Sequence, residues 1–361
     1  MPRPIRTARE AVLSRVGLRH ARDMDGVRAA LAGPLAGVDI IAVLAKTPGD
    51  GSPADTSRAE FVAAASAEIA RLQDSTPAFV VSGGVEGTTA PHAVLVGRRT
   101  RNDAGPPALA IGADASPPLP ARDAGTPAQI VHSRDAVARA LRDGGFRTPR
   151  AAHLVQIKSR APTRFRGPAE AAIGRARAAS VLGAMVALGE IDMAQARACF
   201  DGRHPDVWTA RVSVSSAAEF ARQETIVFGH APGWIGDLRI AHDALADPLD
   251  LPGVARVLGA LGLAARPQLM HADRARLIAC FAKSGPPPDG RLRGADLALD
   301  ADPGQSPLRR IRGGLGSLIA AATGEPQVFV SGGAERQGPP GGGVFAAIAR
   351  NRPSRKFPKR K

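Results

Sequence analysis

Three stretches of the chain share one pattern, a mostly apolar run closed by a lysine: Ile40–Lys46, His153–Lys158 and Leu277–Lys283. Runs of this length, bounded by turn-forming residues, read as buried strands. Around the first, the pattern predicts a strand over Val38–Leu44 and a Gly/Pro/Asp loop over Thr47–Thr56. A helix follows over Ser57–Leu72, with Thr56 or Ser57 as its N-cap, then a short strand over Ala78–Val81 and a return strand over His92–Val96. Further on, a Pro/Gly/Asp-rich stretch, Asn102–Ala128, reads as a connection holding only a short strand at Leu109–Ile111. Helices are predicted over Val131–Leu141 and Val254–Leu261. Apolar strands alternating with helices indicate an α/β chain whose sheets are covered.

The elements repeat. After Lys46 come Arg58 and Ser82-Gly83-Gly84-Val85-Glu86. After Lys158 come Arg177 and Ser215-Ser216-Ala217-Ala218-Glu219. After Lys283 come Arg312 and Ser331-Gly332-Gly333-Ala334-Glu335. Each arginine reads as part of the first turn of a small-residue-rich helix. A period of about 120 residues is too long for a solenoid and indicates three homologous α/β units. The boundaries place them at 1–105, 106–250 and 251–361. Three copies around a pseudo-three-fold axis would bring three lysines, three serines and three arginines to one centre. That centre suits a small, flat, oxygen-rich ring.

Composition sharpens this. Of 48 basic residues only six are lysine: the three above, and Lys356, Lys359 and Lys361 in a basic tail from about 350, which is expected to be disordered. A chain that writes arginine wherever it needs charge has kept lysine at three matching strand ends. Lysine can lose its proton when desolvated and arginine cannot, which points to general-base chemistry beside a hydroxyl. Tyrosine is absent, so no tyrosine acts here. The formal charge of +15 suggests an anionic partner. The arginines are scattered, though, aromatic platforms are scarce and no nucleic-acid motif occurs, so arginine bias in the coding sequence accounts for it and no nucleic-acid partner is expected.

No apolar run reaches the roughly 18 residues of a membrane span. The N-terminus leads into no apolar core, so neither membrane nor secretory signal is expected and a cytoplasmic location is. Cys199 and Cys280 read as buried thiols. The glycine run Gly338–Gly343 lacks the Lys-Ser/Thr of a phosphate loop. The histidines show no metal spacing, so His242 and His271 read as packing or capping residues. Glu86, Glu219 and Glu335 read as hydrogen-bond or ion-pair partners of the site.

These residues resemble the ring-opening amidohydrolases, the cyanuric acid hydrolase and barbiturase family. The longest match is Val328–Gly343. Others are Val81–Gly87, Val155–Lys158, Ala187–Ile191, Ile240–Asp243 and Phe281–Lys283. The resemblance implies a barrel-like core formed by the three units, a homotetramer, and hydrolysis of a cyclic amide with no cofactor needed for catalysis. It assigns Ser215 as nucleophile and Lys158 as its base. The pairs Ser82–Lys46 and Ser331–Lys283 would support the substrate, with Arg58, Arg177, Arg312, Gly83, Ser216 and Gly332 as further binding residues. Near-symmetry alone does not say which pair attacks, although Ser216 in place of glycine sets the second copy apart.

The resemblance also implies a structural Mg or Ca ion held by Ala334, Gln337, Gly338, Pro339 and Gly342 with a glutamate two residues past the third lysine. That position is Gly285, and Arg336 stands where the family has histidine. Without the carboxylate a hard cation would be held weakly, and the nearby Arg336 guanidinium could replace it. The loop Thr47–Ser52 also departs from the family wording. Two other functions stay in view: a non-catalytic relative that binds a heterocycle, and an anion-binding protein driven by charge.

Overall fold

The computed structural model describes residues 7–52, 54–164, 167–297 and 306–352. The basic tail from residue 353 onward lies outside these. Along the first third run β1 (Ala8–Gly17), α1 (Asp25–Ala32), β2 (Asp39–Thr47), α2 (Ser57–Ile69), β3 (Ala78–Gly83) and β4 (His92–Arg101). The second third holds β5 (Pro107–Pro118), α3 (Pro127–Asp143), β6 (Ala152–Arg160), α4 (Ala169–Ala187), α5 (Met193–Phe200), β7 (Val212–Ala217) and β8 (Arg222–Ile235). The last holds β9 (Leu238–Leu245), α6 (Leu251–Ala260), α7 (His271–Arg274) and β10 (Leu277–Ser284). It continues with a small hairpin of β11 (Arg291–Leu292) and β12 (Ala295–Asp296), then α8 (Pro307–Thr323), β13 (Phe329–Gly332) and β14 (Gly343–Arg350).

One strand order occurs three times among the described residues: β3-β2-β4-β1, β7-β6-β8-β5 and β13-β10-β14-β9. In each, the lysine strand runs parallel to the serine strand and antiparallel to the long return strand. A single parallel pairing, Arg9 with Trp234, joins the first two into one eight-stranded sheet, and the third is a separate four-stranded sheet. The pairing is therefore open, not one closed barrel.

Period-two alternation sends the two faces of each sheet to different cores. On β2, Val43 and Ala45 pack under α2 with Phe61, Ala65 and Ile69. Ala42 and Leu44 face the other way. On β6, Val155 and Ile157 lie under α3 and α4. On β10, Cys280 and Ala282 lie under α6 and α8. The opposite faces meet in one central cluster drawn from all three sheets, including Leu44, Val80, Leu154, Ile226, Phe228, Phe281, Phe329 and Ile348. Phe228 stacks on Phe281 at 5.9 Å, and Phe281 meets Phe329 edge-on at 6.0 Å. Both cysteines are buried free thiols, and burial pushes Cys280 up to about 12.

Some predicted elements need correction. The stretch Asn102–Ala128 is mostly strand β5, with Ala108–Ile111 fully buried. Strand β1 is unforeseen, because it carries Arg9, Glu10 and Arg15 among its apolar positions. Arg177 and Arg312 sit beyond the first turn, since α4 begins behind Pro168 and α8 behind Ser306 and Pro307. At α2 the backbone N–H of Ser57 is capped by Asp55, and Thr56 bonds Glu60 instead.

His153 of β6 bridges His230 of β8 and His242 of β9, each nitrogen pair at 3.1 Å, at the junction of the second and third sheets. Burial first, then the neighbouring His242, His230 and Arg211, hold His153 at about 4. Burial also holds His92 at about 4. Burial first, then Arg239, lowers His230, and burial first lowers His242, where Arg211 and Asp243 pull in opposite directions. His153 and His92 are depressed below their unfolded value, so for each about 3 kcal/mol of stability is present above pH ~6.5 and lost as the pH falls towards ~4. We expect the melting temperature to drop across that window. A His153→Gln variant should show a flatter dependence, and an unchanged slope in the variant would contradict the assignment.

Candidate active site

The same alternation that builds the central core carries the polar residues to its edge. Lys46 follows Leu44 on the core-facing parity, Lys158 follows Leu154 and Gln156, and Lys283 follows Phe281. Ser82, Ser215 and Ser331 are their register partners on the parallel neighbours. The structure thus brings together every predicted lysine–serine pair, each within one strand spacing. All six residues lie at strand C-terminal ends. The three lysines are at most 2% exposed.

The three pairs are not equivalent. Lys46 Nζ donates to Ser82 Oγ at 3.4 Å and to the Gly83 carbonyl at 3.3 Å. Lys283 Nζ donates to the carbonyls of Gly332, at 2.6 Å, and Val214. Lys158 Nζ instead lies over the Phe220 ring, 4.7 Å from its centroid. The hydroxyls of Ser215 and Ser331 are buried without a partner among the described residues. Burial first, and then nearby guanidinium groups, lower all three lysines. Lys46 and Lys283 fall well below the usual value, with Arg312 and Arg177 respectively as the strongest cationic neighbours. Lys158, beside Arg58 and partly offset by Glu219, falls to about 7.

Arg58 and Arg177 are buried and Arg312 is partly so, and all three are tied to the expected glutamates, each reaching across to the next sheet. Arg58 donates to Glu219 at 2.5 Å, Arg177 to both oxygens of Glu335 at 2.7 Å, and Arg312 to Glu86. The pairs run first sheet to second, second to third, and third back to first, which closes a ring. Asp55 adds a second partner for Arg58, and Glu170 one for Arg177. Small residues make these approaches possible. A Cβ at Gly83 would lie 2.2 Å from Asp55 Oδ2, and one at Gly332 would lie 3.3 Å from Arg312 Cδ. The Ser216 hydroxyl bonds Ser159 at 2.6 Å, on the opposite face of the sheet from Ser215, so only its backbone faces the centre.

The predicted metal loop does other work. Gln337 accepts from Val214 N–H at 2.6 Å and donates to Gly333 O at 3.1 Å. The carbonyls of Ala334, Pro339 and Gly342 accept from Gln337 N–H, Gly342 N–H and the Ser284 hydroxyl, and Gly338 N–H donates to Thr209 O. Position 285 carries no carboxylate. Among the described residues no group of three His, Cys, Asp or Glu side chains is placed to hold a metal. These residues do not fit a resident hard cation. Arg336 does not stand in for one either. With φ at 59° it donates to the carbonyls of Cys199, His204 and Val207, closing the end of α5.

Phe220 escaped the sequence reading, although it is the one aromatic residue directly after a repeat glutamate; Gly87 and Arg336 occupy the matching positions. No helix among the described residues is long and apolar enough to cross a membrane.

The chain is similar to known proteins along nearly its whole length. A family model described as amidohydrolase ring-opening protein matches residues 12–350. A cyanuric acid amidohydrolase of Methylobacterium sp. (strain 4-46) is 36% identical over 362 residues, covering 95% of this chain and 97% of its own. A cyclic amide hydrolase of Azorhizobium caulinodans is 33% identical, covering 86% and 91%. A solved cyanuric acid hydrolase superposes with a TM-score of 0.87 at 29% identity, covering 95% of this chain and all of the other. One from A. caulinodans superposes at 0.84 and 32%, covering 95% and 99%. The chain belongs to the ring-opening amidohydrolase family.

Proposed function

We propose that the chain hydrolyses a C–N bond of a small cyclic imide of the cyanuric acid or barbituric acid type, with Ser215 as nucleophile and Lys158 as its base. The three four-stranded sheets are then three repeat units about a pseudo-three-fold axis, with the boundary between the second and third ahead of β9 rather than at 250, because β9 pairs with β14 in the third sheet. A homotetramer is the assembly that the family resemblance implies. The observation that carries the choice of pair is the asymmetry among the lysines. Two of them donate to backbone carbonyls, while Lys158 faces a ring, sits near its neutral point at about 7 and stands beside an unpartnered hydroxyl.

Neutral Lys158 takes the proton of Ser215, and Oγ attacks a ring carbonyl. Neighbouring N–H and hydroxyl donors meet the developing oxyanion, each contributing about 3 kcal/mol. Protonated Lys158 returns its proton to the departing ring nitrogen, the C–N bond opens, and water releases the acyl group from Ser215. Lys46, Lys283, Ser82 and Ser331 hold the remaining carbonyls, and the arginine–glutamate pairs fix the walls.

The test is ring opening followed by ultraviolet absorbance with cyanuric acid and with barbituric acid, Ser215→Ala as control. Loss of ring absorbance with the native chain and none with the control is the expected result. If neither ring opens, these two rings are not the substrate, and thermal stabilisation by either ring without turnover would identify a binding protein.

A further inference from the structure

A recess of about 580 Å³ opens where the second and third sheets meet. Its walls are apolar and stiff: Trp208, Leu308, Pro205, Pro286, Pro307 and Pro340. Trp208 is 38% exposed, one of only two tryptophans in a chain with no tyrosine. Proline walls lose little freedom when a ligand enters, so the shape is preorganised.

The inner wall belongs to the site already described. Gly333 follows Gly332, whose carbonyl takes the Lys283 ammonium. Glu335 is the carboxylate that holds Arg177. Leu308 lies 3.4 Å from where a Cβ on Gly332 would stand. Gly285 also lines it, and a Cβ there would approach Ala334 N to 3.2 Å. Three charged side chains, Glu170, Glu335 and Arg336, share the lining with the apolar ones, and Glu335 is the one tied to the catalytic centre through Arg177. This is the make-up of a small-molecule pocket.

An unsubstituted triazine or pyrimidine ring presents polar atoms around its rim and has no part that would fill such a recess. We propose that it takes an apolar substituent, of benzyl or butyl size, carried by the cyclic imide whose ring lies against Ser215 and Lys158. This rests on the hydrolase reading and narrows its substrate class. The reaction is unchanged: one water is consumed, one ring C–N bond breaks, and the substituent leaves with the open chain.

Binding and turnover separate the two claims. On a Ser215→Ala background, which holds both rings unopened, calorimetry is run with cyanuric acid and with its N-benzyl derivative. We expect the benzyl ring to bind at least tenfold tighter, the scale of a buried apolar group. Adding Trp208→Ala should bring the ratio to near one. Equal affinities, no binding by either ring, or a ratio that survives Trp208→Ala overturns the proposal. So does a change in assembly mass with Trp208→Ala and no change in the ratio, which would make the recess an interface between copies. Should Ser215→Ala fail to fold, tryptophan fluorescence of the native chain on rapid mixing gives the same ratio. If the native chain opens neither ring while the benzyl preference holds, the hydrolase reading falls and the recess stands.

Discussion

Lys158→Arg is expected to leave the chain folded and to lower kcat by on the order of 10³-fold, the reach of a lost general base. The guanidinium keeps the charge but does not release its proton near neutrality. The pH profile carries the same information. In the native chain Lys158 sits at about 7, chiefly through burial and secondly through Arg58. It must be neutral to accept the Ser215 proton, so activity should be full above pH ~7 and fall as the lysine protonates below it. The corresponding changes at Lys46 and Lys283 put a bulkier, forked guanidinium where each ammonium donates to carbonyls and should raise KM as well. Steady-state kinetics from pH 5 to 9 decide the matter. A Lys158→Arg enzyme with near-native kcat would move the base elsewhere.

Gly333→Ala is the second large effect, and it acts through shape alone. Gly333 has φ of 76°, where a side chain is strained. A Cβ there would stand 2.3 Å from the Arg177 guanidinium carbon, so the arginine must leave Glu335. For a buried cation that keeps Glu170, losing its two bonds to Glu335 costs about 1.5–3 kcal/mol, with roughly 1 kcal/mol more for the backbone. Denaturant unfolding should show that loss, and turnover should fall with it because the displaced guanidinium lines the centre. A Gly333→Ala protein as stable and active as the native one would mean that Arg177 has another resting place.

How much of this was readable in the sequence depends on which forces acted locally. Strand parity and the lysine–serine order depend only on near neighbours, so Ser57–Ile69 and the strands ending at Lys46, Lys158 and Lys283 were legible within a few residues. Strand β1 was not, because its polar positions pair with charged partners such as Arg99 and Arg101, which lie far along the chain. Strand β5 hid among prolines and glycines that belong to its ends. The glutamates were recognised as partners, but the handing of each to the next sheet depends on packing. The difference between Lys158 and its two counterparts arises from Phe220 on one side and from carbonyls brought in by other strands. In the loop 334–342 the motif suggested a metal, and the hydrogen bonds to Thr209 and Val214 supply what the missing carboxylate does not.

The closed cycle of Arg58–Glu219, Arg177–Glu335 and Arg312–Glu86 has a kinetic meaning as well as a structural one. Once any two pairs are made, the partners of the third are already held near one another. The last link then forms at high effective concentration and with little further ordering, as in a chelate. By the same logic, a broken pair re-forms quickly while the other two persist. A chain nicked between two of the sheets should therefore stay assembled, whereas one lacking any whole sheet loses two links and the closure together.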